Sequence, residues 1–207
     1  MVGTKKKSAK KGFYEVEAPM TAVKISLYGS SAEEFDGKVA KLDLTKSLRG
    51  RSVELRMRVK NDNGILRGIP ISANLVGSYI RRAMRRGSDY VEDSFLAECA
   101  DAVITIKPFL ITRMKVSRAI QKALRDAARK YIIEHVKIRS VKELFSDVIA
   151  NKLQKGMSLK LKKIYPLAFC EIRTFEVLGH QGSPEVPLSF KEQDSPLENL
   201  SLKSQGV

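Results

Sequence analysis

The chain has few of the residues that usually carry chemistry or covalent cross-links. Its 207 residues include two cysteines, two histidines and no tryptophan, and aromatic residues make up only 7%. Cys99 and Cys170 stand far apart, and no CxxC pair or histidine cluster accompanies them, which argues against a zinc site and against a disulfide scaffold. We expect both to be buried small hydrophobic residues in a reducing cytoplasm.

Long apolar runs and catalytic motifs are also missing. No segment approaches the roughly 18 apolar residues of a membrane span, and no apolar run follows the N-terminal lysines before Phe13, as a secretory signal would require. There is no nucleotide-binding glycine motif. His135, His180 and the acidic run at residues 33–36 show no catalytic or metal-ligand spacing. The sequence therefore predicts no catalytic residue, metal, cofactor or membrane partner, and a cytoplasmic location.

Positive charge is what the chain has in excess. Lysine and arginine total 38 against 23 acidic residues, which gives a net charge of +15 and a pI of about 9.9. The first twelve residues contribute five lysines and residues 179–207 contribute −2, so +12 remains on residues 13–178. Clustered charge of this size is the usual footprint of nucleic-acid binding. The alternative is a basic protein without a specific partner.

Two segments separate basic from apolar residues with helical spacing. In Arg113–Val136 one predicted face is basic and consists of Arg118, Lys122, Arg125 and Arg129. The predicted apolar face of the same segment consists of Val116, Ile120, Ala123, Ala127 and Tyr131. In Ser72–Arg86, a predicted helix ended by Gly87, the apolar stripe is Leu75, Val76, Tyr79, Ile80 and Ala83, and the basic stripe is Arg81, Arg82, Arg85 and Arg86.

Alternation of apolar and polar residues predicts seven or eight short strands. The clearest alternation is at Val53–Lys60, where one face is apolar and the other mostly cationic. The other predicted strands are Phe13–Ala18, Val23–Tyr28, Lys38–Leu44, Ile65–Pro70, Tyr90–Cys99, Ala102–Ile111 and Ala168–Leu178. Because a barrel leaves no open edges, we expect an α+β fold with an antiparallel β-barrel-like core, flanking basic amphipathic helices and a helical C-terminal segment.

The predicted helical segment is Lys115–Ile164, with breaks near Lys137–Ser140 and at Gly156. Ser140 and Glu143 fit a capping box, and Ser158 is a candidate cap for a last short helix. The predicted organisation is a basic flexible arm at 1–12, one RNA-binding core at 13–178 and a flexible tail at 179–207. Within the core, residues 13–111 are β-rich, 113–165 are helical and 168–178 form a closing strand.

Folded RNA, recognised by its backbone and shape, fits these features better than a single strand read by its bases. Tyr14, Tyr28, Tyr79 and Tyr90 lie among apolar neighbours and are expected in the core, so few aromatic residues remain for base stacking. The predicted RNA-binding residues are Lys5, Lys6, Lys7, Lys10, Lys11, Arg49, Arg51, Arg81, Arg82, Arg85, Arg86, Arg113, Lys115, Arg118, Lys122, Arg125 and Arg129.

Several short motifs resemble a known family. They are the lysine-rich arm followed by Phe13–Pro19 (FYEVEAP), the Ser78–Arg86 segment, and Ile164–Leu167 (IYPL) leading into Glu171-Ile172-Arg173 and Val177-Leu178-Gly179. In this order, over residues 11 to 186, they resemble the archaeal and eukaryotic small-subunit ribosomal protein of the eukaryotic-type S-one family, also called S-three-A-e.

The resemblance implies a β-barrel core flanked by helices and a structural role on the platform of the small ribosomal subunit, near the messenger RNA exit. The implied partners are ribosomal RNA, neighbouring platform proteins and messenger RNA. Two other functions remain open from the residues themselves. One is a free RNA- or DNA-binding module, and the other is an RNA-processing enzyme, which would need a carboxylate or histidine cluster that the sequence does not display.

Overall fold

The computed structural model describes residues 11–21, 23–48, 50–62 and 64–180. The strands formed by these residues are β1 Gly12–Glu17, β2 Ile25–Gly29, β3 Val39–Asp43, β4 Val53–Asp62, β5 Ile65–Leu75, β6 Tyr90–Glu92, β7 Phe95–Glu98, β8 Ala102–Thr112 and β9 Leu167–His180. The helices are α1 Gly77–Ala83, α2 Arg118–Val136, α3 Val141–Ile149 and α4 Lys152–Leu161, and a short 3-10 helix spans Ala32–Phe35.

One branched sheet contains all of these strands. β5 pairs with β4 along one edge, and its other edge pairs first with β1, at Leu66–Arg67, and then with β9, at Ser72–Asn74. β8 pairs with β9 on one edge and with β6 and β7 on the other. Within the described residues, β3 does not pair with β6 or β7. The predicted α+β class is confirmed, but the sheet does not close into the predicted barrel.

The alternation predicted for β4 is confirmed. Val53, Leu55, Met57 and Val59 are each at most 2% exposed, and the cations between them point to solvent. β4 and β5 form a hairpin in which Gly64 has a φ of +90°, the left-handed conformation that favours glycine. The buried face of this hairpin therefore contributes to the core, and its other face is left open.

The helices pack on the sheet at different strands: α2 on β6 and β7, α3 on β5 and β9, and α4 on β9. Phe145 of α3 packs edge-to-face on Phe175 of β9, with ring centroids 4.8 Å apart. The predicted capping box of α3 is confirmed, because Ser140 Oγ accepts from the Glu143 amide and Glu143 Oε2 accepts from the Ser140 amide, each at 3.4 Å. A second, smaller apolar cluster lies near β1 and consists of Val16, Phe35, Ala40, Val59 and Leu66.

The predicted helix Ser72–Arg86 is wrong at both ends. Residues 72–75 continue β5, because Ser72 and Asn74 are in register with Glu176 and Thr174 of β9. α1 has only seven residues, and Arg85 and Arg86 lie in the turn that follows it. Pairing with a strand about a hundred residues away thus overrides the local helical spacing.

Three other predicted boundaries are wrong. The strand predicted at Tyr90–Cys99 is two short strands, β6 and β7. α4 begins at Lys152, so Ser158 lies inside it and is not its cap. α4 also continues through Gly156, where a Cβ atom would collide with the Tyr131 hydroxyl of α2. A larger residue there would require the Tyr131 side chain to shift, so glycine at this position allows the close approach of α2 and α4.

Candidate nucleic-acid interface

The basic face of α2 lies in solvent. Arg118, Lys122, Arg125 and Arg129 are all exposed, and none forms a salt bridge with a carboxylate of the described residues. Ser117 Oγ accepts from the Ile120 amide at 3.5 Å and caps the helix. We call these four cations the α2 basic face. Four uncompensated charges on one helix face are suited to an extended polyanion.

The predicted apolar stripe of α2 is wrong in part. Ala123 is exposed, and Ile120, Ala127 and Tyr131 are only half-buried. The fully buried row is instead Leu124, Ala128, Ile132 and Val136, at four-residue steps. The buried row thus lies closer to the basic face than the sequence pattern predicts.

Contacts with β6 and β7 orient two members of the α2 basic face. Arg125 Nε donates to the carbonyl oxygen of Glu92 at 3.2 Å. The Arg129 guanidinium lies over the Phe95 ring, 5.5 Å from its centroid. Arg125 and Arg129 are therefore partly pre-organised, which reduces the side-chain entropy that a phosphate contact would cost.

A polar groove of about 710 Å³ extends from α2 onto the sheet. Three cations line it, Arg125 from α2, Lys107 from β8 and Arg173 from β9. Arg173 Nη1 binds Glu92 Oε1 at 2.7 Å, so part of this charge is neutralised within the protein. Sequence reasoning missed Lys107 and Arg173 because each is a single cation within a mostly apolar strand. Asp93 lines the groove as well, so the groove adds only a small net positive charge to the α2 basic face.

The four arginines of the α1 segment remain together although the helix is short. Arg81 and Arg82 lie in the last turn of α1, Arg85 and Arg86 follow it, and all four are exposed. The Arg82 guanidinium lies 5.9 Å from the centroid of the Tyr79 ring. Arg113 and Lys115, in the loop before α2, are also exposed. Both groups are accessible to a ligand.

Arg51 has an internal role. Its Nη1 donates to the Ile149 carbonyl at 3.0 Å, its Nη2 donates to the Val148 carbonyl at 2.9 Å, and it pairs with Glu171 at 3.1 Å. Only 10% of its side chain is exposed. The structure therefore places Arg51 inside the protein, with both Nη atoms engaged there, and not on the exposed surface where an RNA contact was predicted.

The N-terminal part of the predicted site is mostly outside the described residues. Five of its residues, Lys5, Lys6, Lys7, Lys10 and Arg49, lie outside them, whereas Lys11 is described and exposed.

The expectation that all four tyrosines are in the core is wrong, because Tyr28 and Tyr90 are 60% and 54% exposed.

The outer face of β3, β4 and β5 carries cations that were not among the predicted RNA-binding residues. Lys41 lies opposite Arg56, and Lys60 lies opposite Arg67, in the register of the sheet. Asp62 lies within 4.0 Å of both Lys60 and Arg67 and partly neutralises that pair. The strict alternation of β4 had already indicated a mostly cationic face, but its residues were not included among the predicted RNA-binding residues. Lys41, Arg56 and Arg58 are its exposed cations without a carboxylate partner among the described residues.

The described residues contain no cluster of three or more His, Cys, Asp or Glu side chains arranged to hold a metal ion.

Two partly buried titratable groups have shifted pKa values. Burial, with repulsion from Arg139 and Lys160, lowers the pKa of His135. Burial raises the pKa of the Cys170 thiol to about 12, so this thiol is protonated at neutral pH. No helix in the described part of the chain is long and apolar enough to cross a membrane.

Comparison with known families identifies the chain's relatives. The model of the Ribosomal S3Ae family matches residues 3–181, which is most of the chain. The chain belongs to this family. The resemblance noted in the sequence is therefore confirmed, and the chain is a structural protein of the small ribosomal subunit.

Relatives of this S3Ae-family chain are found across the archaea, under the name small ribosomal subunit protein eS1. The Nanoarchaeum equitans protein is 29% identical over 144 residues, which cover 61% of this chain and 73% of the relative. The Haloarcula marismortui protein is 25% identical over 207 residues, which cover 93% of this chain and 96% of the relative. The Methanothrix thermoacetophila protein is 27% identical over 155 residues, which cover 72% of each chain.

Proposed function

We propose that this S3Ae-family protein binds ribosomal RNA of the small subunit through the α2 basic face. The observation that carries the proposal is the arrangement of Arg118, Lys122, Arg125 and Arg129 on one exposed face without a carboxylate partner in the described residues. Arginine presents a planar fork that matches two phosphate oxygens, and β6 and β7 already orient two of the three arginines.

Further cations extend the proposed contact surface. They are the α1 cluster of Arg81, Arg82, Arg85 and Arg86, the loop residues Arg113 and Lys115, and Lys107 and Arg173 in the groove beside α2. The arm lysines Lys5, Lys6, Lys7, Lys10 and Lys11, together with Arg49, stay in the proposal on the basis of the sequence. Arg51 is omitted because it is engaged inside the protein.

The position on the subunit is proposed from the family resemblance. It is the platform near the messenger RNA exit, with neighbouring platform proteins as further partners and messenger RNA close by. Binding, without a catalytic step, is the whole of the proposed activity. As part of the ribosome, the protein would act in the cytoplasm.

Competition for incorporation tests the proposal. Cells would express the wild-type chain together with a variant in which all four residues of the α2 basic face are changed to Glu, and mass spectrometry would measure the ratio of the two in purified small subunits. We expect the variant to be at least tenfold depleted, because each position changes from attracting to repelling phosphate. The matched control places four Glu at exposed lysines elsewhere, namely Lys137, Lys155, Lys162 and Lys163.

The two variants have the same net charge, so they separate position from charge. Depletion of the α2 variant alone supports the proposal. Equal incorporation of the α2 variant and the wild type, or equal depletion of both variants, would overturn it. Circular dichroism of the purified variants would establish that each is folded before the comparison is made.

A further inference from the structure

The β1–β2 region has a charge opposite to that of the whole chain. Residues 12–37 contain five carboxylates and one lysine, on a chain with a net charge of +15. The lysine, Lys24, is paired with Glu15 at 2.8 Å. Of the five carboxylates, Glu17, Glu33 and Asp36 form no salt bridge with the described residues. This region repels phosphate and attracts cations.

An exposed aromatic pair lies on the same part of the molecule. Phe13 of β1 and Tyr28 of β2 are directly opposite each other in register, with ring centroids 5.0 Å apart. They are 77% and 60% exposed. The opposite face of the strand pair buries Val16 and packs Tyr14 against Phe35, with centroids 5.7 Å apart, so the core does not need the outer rings. Aromatic residues are enriched in protein–protein interfaces, so two adjacent exposed rings are suited to a protein contact.

Strand alternation places the carboxylates beside the aromatic rings. Phe13, Glu15 and Glu17 are successive outward residues of β1, and all three are exposed. We call Phe13, Tyr28, Glu15 and Glu17 the ribbon patch. It combines ring faces, which attract arginine and lysine through their quadrupoles, with two carboxylates. Glu17 has no salt bridge among the described residues, and Glu15 is partly neutralised by Lys24.

We propose that the ribbon patch is the docking site for an arginine- and lysine-rich segment of a neighbouring protein. The inference deepens the proposed function, on which it rests, by assigning protein contacts to the ribbon patch and RNA contacts to the α2 basic face. Charge complementarity favours a cationic peptide over RNA, because Glu15 and Glu17 would lie near the phosphates of any nucleotide whose base stacked on Phe13. A symmetric contact with a second copy of this chain is disfavoured, since two acidic patches would face each other.

Site-specific photo-crosslinking in assembled small subunits tests the assignment. The photoreactive residue p-benzoylphenylalanine would replace Phe13 in one variant and Lys122 in another, and mass spectrometry would identify what each residue captures. Both positions are exposed, so neither replacement disturbs the core. We expect position 13 to capture a peptide rich in Arg and Lys from another subunit protein and position 122 to capture ribosomal RNA.

Charge reversal provides the second arm. Glu15→Lys with Glu17→Lys should reduce the yield of the crosslink from position 13 at least fivefold. The matched control is Glu98→Lys with Asp101→Lys, which reverses two exposed carboxylates elsewhere and should leave that yield unchanged.

The crosslinking outcomes separate this inference from the proposed function. A crosslink from position 13 to RNA or to an acidic segment, no crosslink there, or a yield that is insensitive to the reversal would overturn the docking site while position 122 still captures RNA. Failure of position 122 to capture RNA would instead count against the proposed function. A cationic peptide at position 13 whose capture depends on Glu15 and Glu17 supports the inference.

Discussion

The guanidinium of Arg51 and the carboxylate of Glu171 form an ion pair inside the protein, with Nη2 and Oε2 3.1 Å apart and only 10% and 8% of the two side chains exposed. Burial raises the pKa of Glu171, whereas the charge of Arg51 acts in the opposite direction. Arg51 also donates to the last carbonyls of α3. One residue thereby joins the segment before β4 to α3 and β9.

Arg51→Ala should destabilise the protein severely. It would leave Glu171 buried without its cationic partner and remove two hydrogen bonds to the last carbonyls of α3, although the Val148 carbonyl keeps the bond from Gln154 Nε2. We expect a loss of about 3–5 kcal/mol in the free energy of unfolding. Urea denaturation measures this loss. In the double variant Arg51→Met, Glu171→Leu, most of the stability should return, because no buried charge is left unpaired. A single variant as stable as the wild type would show that the pair is dispensable.

Gly156→Ala tests the contact between α2 and α4. Alanine favours a helix over glycine by about 1 kcal/mol, but its methyl group would collide with the Tyr131 hydroxyl. We expect a net destabilisation of about 1–2 kcal/mol, measured by thermal denaturation. In a Tyr131→Phe background the same change should cost less or become stabilising. If Gly156→Ala stabilises the wild-type chain, the close approach is not restrictive.

Lys122→Gln should change the salt dependence of RNA binding without changing stability. A lost phosphate contact reduces the slope of log K against log salt by about 1. Filter binding to small-subunit ribosomal RNA over a salt series measures that slope. Lys24→Gln is the matched control, because Lys24 is exposed but paired with Glu15 in the acidic region, and it should leave the slope unchanged. Identical slopes for all three proteins would contradict the assignment of Lys122.

His135 should make the protein less stable in mild acid. Its pKa is lowered by burial and by the charges of Arg139 and Lys160, so the unfolded chain takes up this proton first as the pH falls through about 6.5. Stability should therefore fall from about pH 7.5 to about pH 5.5, and the fall should be smaller in His135→Gln. Melting temperatures at the two pH values test this, and an equal fall in both proteins would contradict it. The stack of His135 on Tyr131, with centroids 5.3 Å apart, makes a lower melting temperature of the variant at both pH values an expected side effect.

Local patterns predicted the elements that depend on nearby residues. The alternation of β4, the capping box of α3 and the exposed cations of α2 follow from spacing alone. The predicted buried row of α2 differs from the observed row because it included Ala123 and Ala127. These are small apolar residues that fit a solvated helix face as well as a core. Spacing does not distinguish these two environments.

Features that depend on distant residues were not predictable. The carbonyls bound by Arg51 are 97 and 98 residues away in sequence, and nothing near Arg51 distinguishes it from an exposed cation. The branching of the sheet at β5 likewise depends on pairing with β9. Tyr28 is different, because alternation in β2 places it on the exposed face with Ser26, and the local pattern could have predicted its exposure.

Sedimentation of a cell lysate through a sucrose gradient at moderate salt tests the central claim most directly, with the chain and the other small-subunit proteins quantified by mass spectrometry in every fraction. Our account predicts that the chain is present at near-unit stoichiometry in the small-subunit fractions. It also predicts that raising the salt weakens the association of the chain with ribosomal RNA. A chain that is mostly free, or far below unit stoichiometry in the subunits, would contradict the account and favour an independent RNA-binding module.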